Sequence, residues 1–164
     1  MRALARLCSL IGALILIALA VVALGTSVVP RILGMQPYAI VSGSMEPTYA
    51  TGSLVLAQSV DGSALQAGDI AAFWQGEEVV THRVQENVES EGELVTKGDA
   101  NAEPDVRPVP YQNVLGQVVF SVPLVGYFLI ALGTTPGKLL LGWIVLTGAA
   151  LCIIGSVVNA MARR

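Results

Sequence analysis

Two long stretches without a single charge frame this chain, one from Arg6 to Arg31 and one from Lys138 to Arg163. About 20 consecutive apolar residues suffice to cross a hydrocarbon core. The pattern therefore predicts membrane-spanning helices near 7–29 and 138–160. Between them the pattern changes to short segments, several alternating with period two. Pro30, Gly34 and Pro37 mark an irregular exit from the first helix. Strands are then expected over 38–41, 53–60, 69–74, 78–88, 93–98 and 114–122. Gly- and Asp-containing turns separate them, with longer loops over 61–69 and 99–113. In 78–88 the alternation puts Val80, His82 and Val84 on one face and Thr81 and Arg83 on the other. The apolar stretch 118–132 is short and broken by Pro123 and Gly126, which suits an interfacial segment or a buried apolar strand-to-helix surface rather than a span.

The predicted organisation is a mainly β domain flanked by two transmembrane α-helices. Its parts are an N-terminal tip and helix (1–30), the β domain (31–117), an apolar interfacial segment (118–136) and a C-terminal helix and tip (137–164). The first helix also has the basic start of a cleaved signal peptide, with "ALA" at 18–20 as a cleavage site. Its apolar run exceeds the roughly 7–15 residues of such a segment, which favours an uncleaved anchor.

Composition agrees with partial residence in lipid. The chain is 54% hydrophobic and 13% charged, whereas soluble domains carry about 25% charged residues. All twelve acidic residues lie between Glu46 and Asp105. From Glu46 to Arg107 the chain sets against them three basic residues, Arg83, Lys97 and Arg107, leaving that region at −9. An acidic centre argues against nucleic acid as a partner. Arg2 and Arg6 precede the first apolar run, and Arg163 and Arg164 follow the second. The positive-inside rule then places both termini in the cytoplasm and the β domain outside. Arg31 and Lys138 oppose this, but the paired arginines outnumber them.

Cys8 and Cys152 fall in the predicted membrane helices, so neither a disulfide nor a metal site is expected of them. His82 is the one histidine, which excludes His-rich metal chemistry. In the second helix Gly148, Cys152, Ser156 and Ala160 form a stripe of small residues that would admit another helix closely. Ala13 and Ala20 of the first helix leave comparable room.

Candidate chemistry gathers in three places. "SGSMEPT" (42–48) holds Ser42 and Ser44 around Gly43, just beyond the first helix. It reads either as a turn or as a nucleophile held out for attack. Gly43 is expected to allow an unusual backbone there, and Pro47 to stiffen the exit. Met45 is expected to point toward lipid or core, and Glu46 to be a solvated charge. Serine needs a base, and His82 sits on a predicted strand that would hold its ring. Asp99 and Asp105, in the loop after the next strand, are both available to orient that ring. Without such a trio the alternative is a non-catalytic membrane-anchored scaffold or assembly factor with an acidic β domain.

Taken in order, "SGSMEPT", "THRV" and "TKGDANAEPD" resemble the type I signal peptidase family. The branch they resemble is the Ser–His one of archaea, the endoplasmic reticulum and some Gram-positive bacteria. The main bacterial branch has a lysine where this chain has His82. The resemblance implies a signal-peptidase-like β fold. It makes Ser44 the nucleophile, His82 the general base and Asp105 the triad acid, with Asp99 as the family's second acid. Ser42, with the backbone N–H of Ser44, would form the oxyanion hole. No cofactor or metal is implied. The substrates would be preprotein signal peptides, cut after small residues at the outer face of the membrane. The family usually has Asn-Asn after Gly-Asp, where this chain has Ala100-Asn101.

Overall fold

The protein is described here by a computed structural model covering residues 2–161, so Arg163 and Arg164 lie outside the described residues. Among the described residues there are four α-helices: α1 (Arg2–Ser27), α2 (Val29–Ile32), α3 (Gly126–Gly133) and α4 (Thr135–Met161). The chain divides into a helical unit, Met1–Gly25 with Ile130–Arg164, and a second unit, Thr26–Leu129.

Among the described residues two stretches, Ala3–Ile32 and Thr135–Met161, are long and apolar enough to cross a membrane. Most of their large side chains, Leu14, Ile17, Leu140 and Trp143 among them, are exposed to whatever surrounds the pair. Glycine sets how closely α1 and α4 approach. A Cβ on Gly12 would lie 2.5 Å from the Gly148 carbonyl oxygen and 2.8 Å from Cys152 Sγ. One on Gly155 would lie 2.5 Å from the Ala5 carbonyl oxygen. The expected stripe is thus correct at Gly148 and Cys152 but continues through Gly155. Ser156 and Ala160 are exposed. Four-residue steps overshoot the 3.6-residue turn, so a strict i+4 series drifts off the contact face. On α1 the atoms nearest the α4 glycines belong to Ala5, Ser9, Gly12 and Leu16, while Ala13 is half-buried and Ala20 exposed.

The second unit is built on one antiparallel sheet. Its strands are β1 (Met35–Ala39), β2 (Leu54–Gln58), β3 (Ile70–Gln75), β4 (Glu78–Val88), β5 (Glu93–Lys97), β6 (Val109–Pro110) and β7 (Val114–Val122). Their order is β1-β2-β7-β3-β4-β5-β6. The last strand in sequence is therefore central, joining the β1–β2 hairpin to the β3–β6 meander. Residues 118–122, grouped by sequence with the apolar segment, are the second half of this strand. The first strand begins earlier than expected, at Met35, and contains Pro37. An edge strand has one side without a partner, so proline's missing N–H is tolerated there.

Both faces of the sheet are covered. One cluster gathers Ile40, Met45, Val55, Ala57, Ile70, Ala72 and Val118. The other gathers Leu65, Ala71, Phe73, Val84, Leu94 and Val109. Strand β3 divides its residues between the two, as period-two geometry requires, which is why "IAAF" reads as a continuous apolar run.

Candidate active site

The Ser44 segment runs between β1 and β2. Met45 is its anchor, 1% exposed in the first core cluster. Ser42, Gly43 and Glu46 remain exposed around it. Gly43 does not adopt a left-handed backbone, and a Cβ there would meet Glu46 only at ordinary contact distance, 3.6 Å. The unusual backbone expected of that glycine is absent, although a turn is present, the Glu46 N–H donating to the Gly43 carbonyl at 3.1 Å. The segment is held instead by Met45, by the Tyr49 N–H donated to the Met45 carbonyl (2.9 Å), and by the contacts described next.

His82 lies on β4, directly paired with Ala71 of β3, and is 7% exposed. Phe73 meets its ring edge-to-face, centroids 6.2 Å apart. His82 Nδ1 lies 2.6 Å from Asp105 Oδ2. A carboxylate only accepts, so Nδ1 carries the proton and Nε2 is left as the free acceptor. Asp105 also accepts from Thr96 Oγ1 at 2.6 Å, and its own N–H donates to the Thr96 carbonyl at 2.8 Å.

Of the two candidate acids, Asp105 is the one bonded to His82. Asp99 is engaged elsewhere, in a fork with Arg83: Nε to Oδ1 at 2.8 Å and Nη2 to Oδ2 at 2.7 Å. Asp99 also accepts from the Thr48 hydroxyl. One carboxylate thereby ties the Ser44 segment to the His82 strand. The guanidinium bonds, foremost, hold the Asp99 carboxyl below its ordinary range, and Asp99 raises Arg83 in return.

The pairing of Arg83 with Lys97, continued by one residue, sets Gly98 opposite His82. Here a side chain has no room. A Cβ on Gly98 would lie 2.6 Å from the Ser44 carbonyl oxygen and 3.0 Å from His82 Nε2. The Ser44 backbone and the free imidazole nitrogen therefore converge on one point. The Ser44 carbonyl accepts the Ala100 N–H at 2.9 Å. This bond uses the backbone only, so alanine at position 100 leaves it intact. Ser44 Oγ pairs with Ser42 Oγ at 3.2 Å. Among the described residues no hydrogen bond joins Ser44 Oγ to His82 Nε2, and the Ser44 N–H donates to no group.

A groove of about 170 Å³ opens beside Ser44, lined by Tyr38–Ser42 and Met45 on one side and Glu78–Thr81 on the other. Strand β4 pairs with β3 from Glu78 onward but with β5 only from Arg83 onward, leaving residues 78–81 with one unpaired edge beside the groove.

The family's description is "signal peptidase, peptidase S26", and its model matches residues 11–99, just over half of the chain. The chain belongs to this signal peptidase family. Three curated relatives agree. Signal peptidase I W of Bacillus subtilis is 39% identical over 99 residues, covering 57% of this chain and 52% of its own. The signal peptidase complex catalytic subunit SEC11 of Debaryomyces hansenii is 34% identical over 104 residues, covering 56% of this chain and 62% of its own. Its counterpart from Chaetomium globosum is 34% identical over 109 residues, with 59% and 63% covered. The chain thus spans about half the length of the first and under two thirds of the other two. The family match ends at Asp99, before Asp105 and before β7. With its two long apolar helices, this member of the signal peptidase family is a membrane protein.

Arg83, Thr48, Thr96 and Gly98 escaped the sequence reading as site residues. Thr48 and Thr96 stand inside the quoted motifs, and Arg83 neighbours the histidine. Gly98 follows from strand register, which needs the pairing to be known.

Proposed function

We propose that this chain is a membrane-anchored serine endopeptidase that removes N-terminal signal peptides from secreted preproteins at the outer face of the plasma membrane. The observation that carries the reading is the His82 ring, bonded through Nδ1 to Asp105 and presenting Nε2 to the Ser44 segment. A scaffold has no use for that arrangement.

In this reading Ser44 Oγ attacks the scissile carbonyl while His82 Nε2 takes its proton. The Ser44 N–H and the Ser42 hydroxyl donate to the resulting oxyanion. Collapse breaks the C–N bond, and the imidazolium protonates the departing amine. Water then enters by the same route, losing a proton to His82, and releases the signal peptide as a carboxylate. Asp105 keeps the imidazole in one tautomer and stabilises its charged form. Asp99, the second acid, braces the nucleophile segment through Thr48 and Arg83.

The substrate adds as an extended strand along the free edge of β4, gaining main-chain hydrogen bonds. The small groove selects small side chains near the cut. The arginines at both ends of the chain set the termini in the cytoplasm, and with them the acidic unit outside. Anchoring brings the enzyme to the depth at which a signal peptide leaves the bilayer.

The deciding experiment compares preprotein cleavage by the detergent-solubilised wild type and its Ser44→Ala variant at equal expression. The expected result is cleavage by the first and none by the second. Equal behaviour of the two would overturn the assignment.

A further inference from the structure

The hydroxyl of Thr96 has a role that neither packing nor strand formation requires. Thr96 is fully buried on β5, where it pairs with Val84. Its hydroxyl donates to Asp105 Oδ2, the same oxygen that accepts from His82 Nδ1. Its carbonyl accepts the Asp105 N–H. One residue therefore fixes both the backbone and the side chain of Asp105.

Asp105 needs this more than most acids do. It lies in the stretch between β5 and β6, outside any strand or helix. The terminal torsion of an aspartate is broad, with no deep minimum to aim either oxygen. His82 alone cannot supply the aim, because its ring is the group to be oriented. The rigid element in the set is β5.

We propose that Thr96 is a positioning residue for the reaction, holding Asp105 Oδ2 on His82 Nδ1 so that Nε2 stays directed at the Ser44 segment. The catalytic consequence rests on the endopeptidase reading above; the geometric one does not. An aspartate freed to swing lets the imidazole turn, and a misplacement of about 1 Å at a reacting group costs on the order of 10²-fold in rate.

Two substitutions separate this role from packing. Thr96→Val keeps the shape and removes the hydroxyl; Thr96→Ser keeps the hydroxyl and removes a buried methyl. A positioning role predicts that Thr96→Val lowers kcat by roughly 10- to 100-fold with KM changed less than about 3-fold. Thr96→Ser should stay within about 3-fold of wild type in kcat, even if it melts lower. A packing role predicts the reverse ranking.

The second readout needs no activity. His82 is the one histidine, so with a histidine-free purification tag its ring signals in nuclear magnetic resonance are unambiguous. The Nδ1 proton should be observable in wild type and Thr96→Ser. In folded Thr96→Val it should exchange with solvent at least about tenfold faster, the change expected for losing roughly 1.4 kcal/mol of protection. Equal exchange in all three proteins, or a Thr96→Ser variant worse than Thr96→Val, would overturn the proposal. If the wild type cleaves no preprotein but the exchange difference is present, the endopeptidase reading fails and the positioning of His82 stands.

Discussion

Replacing Gly98 by alanine tests the arrangement of the site with a single methyl group. The new Cβ would sit 2.6 Å from the Ser44 carbonyl oxygen and 3.0 Å from His82 Nε2. Ordinary contacts begin near 3.4 Å, so the two separations fall short by about 0.8 and 0.4 Å. The nearer partner is backbone, which cannot rotate away as a flexible side chain would. That backbone is also tied to Ala100 by the bond from its N–H. Relief must come from moving the Ser44 segment, the imidazole or both by about 0.5–1 Å. A displacement of that size costs on the order of 10²-fold in turnover, and overpacking costs about 1–3 kcal/mol in stability. The assay is hydrolysis of a fluorogenic signal-peptide substrate by the purified full chain, beside its thermal melting curve. The expected outcome is a folded variant with kcat reduced about 100-fold. Turnover within about 3-fold of wild type would show that Ser44 and His82 do not converge beside Gly98.

The two acids should respond differently to the same substitution. Asp105→Asn should lower kcat far more than it changes KM, because it disturbs the tautomer of His82; a loss confined to KM would refute its orienting role. Asp99→Asn should chiefly loosen the Ser44 segment, seen as a lower melting temperature at neutral pH. Because the folded state depresses the Asp99 carboxyl, its contribution is complete above the unfolded value of about 3.9 and is lost as pH falls through the lower folded value. The melting difference between wild type and Asp99→Asn should therefore shrink in acid, and a difference that persisted there would refute the ion pair. In the helical unit, Gly12→Leu should lower the melting temperature in detergent, since it drives α1 from Gly148 and Cys152. Gly25→Leu, with nothing within 4 Å of its Cβ position, should not; equal effects would refute the close approach.

Local patterns carried much of the fold. Strands β4 and β7 begin and end where the alternation and turn signals put them, at 78–88 and 114–122. Pro37 was read as a breaker because nothing in the sequence marks β1 as an edge, the one place where proline costs no ladder bond. Ser44, His82 and the two acids were legible as residue types within three motifs. Which acid meets His82 came only from the family resemblance, which favoured Asp105; the residues alone left both open. Asp99 and Asp105 share one loop, and their division of labour depends on Thr96 and Arg83, which reach them across strand pairs. The small-residue stripe meets α1 at Gly148 and Cys152 and leaves Ser156 and Ala160 exposed, as the drift of a four-residue step around a 3.6-residue helix requires.

The central position of β7 has a consequence for the order in which the chain is made. Ser44 belongs to the β1–β2 hairpin, and His82 and Asp105 belong to the meander that starts at β3. The strand that welds these two pieces into one sheet is the last to be synthesised, residues 114–122. A nascent chain that has emerged only through Asp105 already carries every member of the trio, yet on two separate fragments of sheet. The candidate site is therefore assembled late, once the final strand has slipped between β2 and β3. Until then Ser44 and His82 have no common sheet to hold them in register.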